Sequence, residues 1–265
     1  MLQIRELFKT FNPGTPNQKV IFQGLSLKVE EEDFITIIGS NGAGKSTLLN
    51  IISGSVKEDQ GQILLKNKDL TQMREYKRNQ LIGRVFQDPS LGTAPKMTLL
   101  ENLSLAFNKG GRFNLAPGIP KKKIHHFREI LSQLSLGLED ALHTKVGLLS
   151  GGQRQALTMV MATINNPQLL LLDEHTAALD PKTSEVIIEL TKDLVQEKGI
   201  TTLMVTHNLK QAIEMGNRLI MMHQGDIILD CRGDEKKNLT ISKLLGYFES
   251  SRNQDVLSDQ MLFAN

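Results

Sequence analysis

The sequence predicts an α/β fold built around a largely parallel β-sheet, and three observations support this. Short β-like runs alternate with helical stretches along most of the chain, as in proteins whose parallel strands are joined by helices. Residues 34–38 (FITII) form a continuous apolar run, which is typical of a central strand covered on both faces. The chain has 265 residues, of which 40% are hydrophobic, enough to bury one substantial core. We therefore expect a single domain over residues 1–265.

The elements follow one another from a β-rich N-terminal region onward. Strands are predicted at residues 2–8, 25–29, 34–38, 62–65, 83–86, 169–172, 201–205, 218–222 and 227–230. Helices are predicted at residues 45–52, 151–165, 181–198 and 209–215. Because helices separate most of the later strands, a mainly parallel sheet is the expected arrangement.

A different pattern occupies residues 93–149, where helix formers dominate and strand character is low. The pair Ile130 and Leu134 recurs at helical spacing. Two loops and a helix start are predicted at Gly110-Gly111, Ala116-Pro117-Gly118 and Lys121-Lys122-Lys123. We interpret this stretch as a helical subdomain inserted into the α/β core.

The core then consists of residues 1–92 and 150–232, and a C-terminal helix with a tail covers 233–265. The helix is predicted by apolar residues at helical spacing, namely Ile241, Leu244, Leu245 and Phe248.

Composition narrows the possible functions. The net charge is +2, with acids and bases spread along the chain, so the basic stripe typical of a nucleic-acid binder is missing. The single cysteine, Cys231, excludes an internal disulfide framework and fits a reducing compartment. No apolar run reaches the roughly 18 residues of a membrane-spanning helix, and the start of the chain does not read as a signal peptide. We expect a cytoplasmic chain whose membrane role, if any, comes through a partner.

A glycine-rich segment between a predicted strand and a predicted helix fits the pattern G-x-x-x-x-G-K-[ST]. Its residues are Gly39, Ser40, Asn41, Gly42, Ala43, Gly44, Lys45 and Ser46, followed by Thr47. Backbone N–H groups of such a loop surround phosphates closely, and the following helix directs its positive end at the anion. Lys45 can reach the β- and γ-phosphates of ATP, and the Ser46 hydroxyl can bind Mg²⁺. The sequence therefore predicts a Mg-ATP site.

Two carboxylates end the buried strand LLLL, namely Asp173 and Glu174. Asp173 is predicted to lie on the Mg²⁺ side, and Glu174 to polarise the attacking water. Gln87 and His207 also follow predicted strands. Open α/β sheets gather ligands at the carboxyl ends of their strands, so both residues are expected at the same crevice.

The segment Leu149-Ser150-Gly151-Gly152-Gln153 begins a predicted helix. With it, the full set of motifs resembles the nucleotide-binding domain of ATP-binding-cassette (ABC) ATPases over roughly residues 2–232. The resemblance implies a P-loop NTPase core with an inserted helical subdomain. It also implies a head-to-tail dimer in which each ATP lies between one phosphate loop and the partner's Ser150, Gly151, Gly152 and Gln153.

The resemblance implies further roles by position. Gln87 would contact Mg²⁺ and report the nucleotide state to the helical subdomain, and His207 would contact the γ-phosphate. The segment Ala178-Leu179-Asp180 would communicate across the dimer. Phe11 would stack on adenine, where many family members carry tyrosine. His175 stands where proline is frequent in the family.

A single nucleotide-binding domain resembles the separate ATPase subunit of a prokaryotic transporter. This implies a membrane permease docked in a groove beside Gln87, a position on the inner face of the cell membrane, and a solute-binding protein in the same system. The segments GTAP and 114–119 are similar to a subgroup linked to aromatic amino acids. The alternative is a non-transport ABC ATPase, acting on DNA or ribosomes or in assembly of a soluble complex.

Overall fold

The computed structural model describes residues 1–111, 118–119 and 123–250. Contacts between Cα atoms divide the chain into two compact units. The first unit contains residues 1–52, 56–71 and the chain from 205 onward, and the second contains 53–55 and 72–204.

The first unit contains an antiparallel sheet in the order β2-β1-β4-β5. Its strands are β1 (Leu2–Phe11), β2 (Lys19–Val29), β4 (Gln60–Leu65) and β5 (Lys68–Asp69). Alternate residues of β1 and β2 are buried, as expected for strands with one face on a core. β2 begins six residues before the predicted start at 25, because its pairing with β1 continues to the Phe11–Lys19 pair.

The same unit also holds β3 (Phe34–Gly39), β9 (Arg218–His223) and β10 (Asp226–Arg232), in the order β10-β9-β3. β3 and β9 are parallel, and all six residues of β3 are buried, as the apolar run predicts. The unit's helices are the start of α1 (Lys45–Ser53), α7 (Leu209–Glu214), α8 (Gly233–Lys237) and α9 at residues 241–250. Leu244 of α9 packs with Ile38, Ala212 and Cys231, so the predicted C-terminal helix docks on this core.

The second unit contains the strands β6 (Ile82–Val85), β7 (Leu169–Asp173) and most of β8 (Thr201–Val205), in the order β8-β7-β6. β6 and β7 are parallel. Its helices are α2 (Glu75–Arg78), α3 (Leu99–Phe107), α4 (Ile124–Ser132), α5 (Gly151–Thr163) and α6 (Pro181–Lys198). An apolar core joins α3, α4 and α5 through residues that include Leu103, Phe127 and Leu157.

The predicted α/β class, with parallel strands and a β-rich N-terminal region, is confirmed. The division into a core and an inserted subdomain stays a prediction. The segments Ala116-Pro117 and Lys121-Lys122 lie outside the described residues. Within the described residues, no helix is both long enough and apolar enough to span a membrane.

Candidate active site

The predicted phosphate loop joins β3 to α1 in the first unit. Gly39, Gly42 and Gly44 all have positive φ, at 155°, 83° and 98°. A Cβ on Gly39 would overlap the Met222 carbonyl oxygen, so only glycine permits this approach of the loop to β9. The Lys45 ammonium, with the residue only 6% exposed, donates hydrogen bonds to the carbonyl oxygens of Gly39 at 2.7 Å and Ser40 at 2.9 Å.

A cavity of about 550 Å³ lies beside this loop, within the first unit. Its polar lining includes Ser40, Asn41 and His207, so the structure brings His207 to the phosphate loop. The turn that carries His207 is fixed on both sides. Thr206 N–H donates to the Ile37 carbonyl at 3.2 Å, and Thr206 Oγ1 accepts from the Asn208 N–H at 3.1 Å.

A second cation, the Lys19 ammonium, lies beside the phosphate loop, and no sequence pattern predicts it. The Lys19 ammonium lies 3.5 Å from the position that a Cβ on Gly42 would occupy. Lys19 is the register partner of Phe11, whose ring lies 5.3 Å from the Lys9 ammonium. A lone lysine in a hairpin gives no signal in sequence, and only the register of β1 and β2 reveals its place.

In the second unit, the parallel strands β6 and β7 bring Gln87 and the acidic pair to the same sheet edge. Val85 is the register partner of Leu172; Asp173 follows Leu172 directly, and Gln87 lies two residues after Val85. Asp173 is the last residue of β7, with a side chain only 14% exposed. Glu174 leaves the strand in the left-handed region with φ of 48°. The two carboxylates therefore diverge immediately after a rigid strand.

The buried side chain of Gln155, on α5, donates from Nε2 to the Phe86 carbonyl oxygen at 3.3 Å. Phe86 immediately precedes Gln87, so the start of this loop is tied to α5. No sequence pattern predicts this contact, because Gln155 lies far from Phe86 along the chain.

The N-terminus of α5 is capped by its own side chains. Ser150 Oγ accepts from the Gln153 N–H at 3.2 Å, and Gln153 Oε1 accepts from the Ser150 N–H at 3.1 Å, which is a capping box. A Cβ on Gly152 would overlap Thr183 Cγ2, so glycine lets α5 approach the first turn of α6.

Asp180 caps that first turn of α6 by accepting from the Thr183 N–H at 3.1 Å. Hydrogen bonds from Thr183 hold the pKa of the Asp180 carboxyl below its ordinary value. Through Thr183, the structure therefore brings Asp180 and the Ser150–Gln153 segment together.

His175, next to Glu174, is fully buried, and burial lowers its pKa to about 4. Its Nε2 lies 3.1 Å from Thr191 Oγ1. The Thr191 hydroxyl donates its proton to the Ile187 carbonyl at 2.7 Å, so Nε2 must be the donor toward Thr191. The ring is therefore neutral and fastened to α6.

The residues present fit ATP and Mg²⁺. The loop offers backbone N–H groups and two lysine ammonium groups to a polyphosphate. The predicted magnesium ligands are a hydroxyl, an amide and a carboxylate, from Ser46, Gln87 and Asp173, and these are the oxygen donors that a hard cation prefers.

Comparison with known proteins agrees with this chemistry. The family model described as "ABC transporter" matches residues 22–177. A tyrosine transport ATP-binding protein of Clostridioides difficile is 56% identical over 251 residues, covering 94% of this chain and 99% of that protein. A phosphonates import ATP-binding protein of a Ruegeria species is 35% identical over 242 residues, covering 87% of this chain and 88% of that protein.

Solved structures agree as well. The ATP-binding cassette MJ0796, in a dimeric post-hydrolysis state bound to ADP and Pi, superposes with a TM-score of 0.75 at 31% identity, covering 88% of this chain and 98% of that one. A nucleotide-free cassette from an ABC transporter superposes with a TM-score of 0.76 at 31% identity, covering 94% and 98%. The chain therefore belongs to the ABC transporter family, as one of its ATP-binding and ATP-hydrolysing subunits.

Proposed function

We propose that this subunit energises import of an aromatic amino acid, most simply tyrosine, by a separate membrane permease. The observation that carries the proposal is the 56% identity over nearly the full length of the tyrosine transport ATP-binding protein. A solute-binding protein delivers the amino acid, and the ATPase sits peripherally on the inner face of the membrane. No observation favours a non-transport ATPase.

Nucleotide binding and hydrolysis are each assigned to particular side chains. Lys45 and the loop N–H groups bind the β- and γ-phosphates, and Phe11 stacks on adenine. Ser46, Gln87 and Asp173 would hold Mg²⁺, which when bound would neutralise negative charge on the phosphates. Glu174 orients and polarises the attacking water, since it follows a rigid strand end.

His207 contacts the γ-phosphate. This assignment is supported by the cavity that His207 shares with the phosphate loop.

The second half of each site comes from another copy of the chain. The helix α5 begins with Ser150, Gly151 and Gly152, and small residues at a helix N-terminus leave N–H groups accessible to an anion. Two copies arranged head to tail thus enclose each nucleotide, and Asp180 lies next to the start of α5 where it can transmit closure. ATP binding closes the dimer, and hydrolysis reopens it.

The permease docks in a groove of the second unit. A cavity of about 490 Å³ is lined by residues of α3, α5 and the segment after β6. At its rim Leu91 and Leu105 are 69% and 57% exposed, which is unusual for leucines and suits an apolar helix of a partner.

The test is affinity purification of the chain from gently solubilised membranes, followed by mass spectrometry. We expect a polytopic permease in the eluate. The solute-binding protein from the same system, titrated calorimetrically with tyrosine, phenylalanine, tryptophan and spermidine, should bind an aromatic amino acid. Repeated recovery of soluble partners alone would contradict the transport role, and a preference for spermidine would contradict the substrate.

A further inference from the structure

Arg84 is a largely buried arginine on β6 that the chemistry above does not use. Its side chain is 11% exposed, and its Nη2 lies 3.5 Å from Oδ2 of Asp173. The register explains the contact: Arg84 pairs with Leu171, and Asp173 lies two residues further along β7, on the same face. Arg84 therefore faces the carboxylate assigned to Mg²⁺.

Three other groups fix the guanidinium in this place. Nη1 donates to Ser53 Oγ at 3.0 Å and to Ser55 Oγ at 3.3 Å. The guanidinium carbon lies 4.5 Å from the centre of the Phe86 ring, within the range of a cation–π contact.

Burial lowers the pKa of Arg84, while Asp173 raises it. An arginine remains protonated in either case. A fixed cation thus lies beside the carboxylate that a second cation, Mg²⁺, has to use. Two cations that share one carboxylate oppose each other's binding.

We propose that Arg84 is a positioning residue that acts as the counter-ion of Asp173 in the nucleotide-free protein and competes with Mg²⁺ for this carboxylate. The inference rests on the proposed role of Asp173. Mg²⁺ then binds firmly only with a nucleotide, whose phosphates supply the remaining ligands and the extra negative charge.

The first test needs no catalysis. Unfolding of the nucleotide-free protein by urea is measured for wild type, Arg84→Met, Asp173→Asn and the double variant. We expect Arg84→Met to destabilise the protein, which raises the equilibrium constant for unfolding. Adding Asp173→Asn to Arg84→Met should lower that constant again by about tenfold. Additive effects would overturn the ion pair. Arg78→Met is the control: Arg78 is also buried in the second unit, but hydrogen-bonds to the Met73 carbonyl, and its effect should add to that of Asp173→Asn.

The second test measures the affinity of Mn²⁺, a paramagnetic substitute for Mg²⁺, by electron paramagnetic resonance in the presence of ATP. Arg84→Met should bind Mn²⁺ several-fold more tightly than wild type, whereas Arg84→Lys should stay near wild type. Unchanged affinity in Arg84→Met, with weaker affinity in Asp173→Asn, would overturn this inference and leave the proposed function intact. Unchanged affinity in Asp173→Asn would instead overturn the metal assignment itself.

Discussion

At the scale of residues, β7 ends between two carboxylates, and the residue after them is held by a hydrogen bond. Asp173 still belongs to the strand, whereas Glu174 adopts left-handed φ, a conformation that costs a non-glycine residue energy. The next residue, His175, is buried and bonded to Thr191 on α6. Packing of the His175 ring therefore helps to hold Glu174 in its strained conformation, which suits the proposed role of aiming one oxygen at water.

Glu174→Gln should keep ATP binding and lower turnover by about 100-fold or more, because the amide cannot accept a proton from water. Phosphate release and calorimetric ATP affinity are the measurements. Glu189→Gln, on the exposed surface of α6, is the control and should hydrolyse ATP normally. Turnover of Glu174→Gln at the wild-type rate would show that the catalytic assignment is wrong.

His175 should make the protein sensitive to acid. Its pKa is about 4 in the folded chain against an ordinary 6.5, so the unfolded chain binds more protons between these two values. The free energy of unfolding should therefore fall as the pH falls from 6.5 to 4, by at most about 3 kcal/mol from this residue.

Urea unfolding at several pH values, without nucleotide, checks this expectation. His175→Gln should flatten the fall between pH 6.5 and 4, while His125→Gln, a change at an exposed histidine, should leave it unchanged. Equal slopes for wild type and His175→Gln would refute the expectation.

At the scale of elements, two helices start with side-chain caps next to each other. α5 begins with the Ser150–Gln153 capping box, and α6 begins with Asp180 bonded to Thr183. Gly152 lets the two starts touch through Thr183. A shift at one cap therefore displaces the other, which suits the surface where we propose that a partner copy binds.

Ser150→Arg should leave ATP binding to a single subunit intact and prevent dimerisation with Mg-ATP. The added side chain fills the space in front of the α5 N-terminus and loses a cap worth about 1 kcal/mol. Light scattering in the Glu174→Gln background measures the dimer. Ser150→Ala loses the cap without adding bulk and should still dimerise. A stable dimer of the arginine variant would argue against the head-to-tail arrangement.

The sequence predicts an element well when the residues that indicate it lie close together along the chain. The phosphate loop and the start of α5 are predictable because each motif lies within a few residues of the strand or helix that flanks it. The start of α3 was missed although the capping box Thr98-x-x-Glu101 marks it. Lys19 and Arg84 could not be placed, since their positions depend on strand register. The roles of the site residues stay predictions.

At the scale of the whole molecule, ATP chemistry has to reach a membrane partner. Phe86 provides one structural link, since its carbonyl is bonded to Gln155 on α5 and its ring contacts Arg84. The groove with Leu91 and Leu105 lies in the same unit. A partner seated there would touch the segment that leads into Gln87.

Leu105→Arg should abolish co-purification of the permease and tyrosine uptake while ATP affinity and dimerisation remain, because a buried charge would oppose an apolar helix. Ile241→Arg is the control, since Ile241 is comparably exposed but lies in α9, in the first unit. Normal uptake by the Leu105 variant would exclude this groove as the docking site.

The hydrogen bonds of Lys45 have a consequence for selectivity. Its ammonium donates hydrogen bonds to two carbonyl oxygens, of Gly39 and Ser40. An arriving anion must compete with these bonds, each worth about 2 kcal/mol. A triphosphate offers acceptor oxygens along its whole chain and can replace both hydrogen bonds at once. Recognition of a polyphosphate would thus begin at Lys45, before any part of the base is contacted.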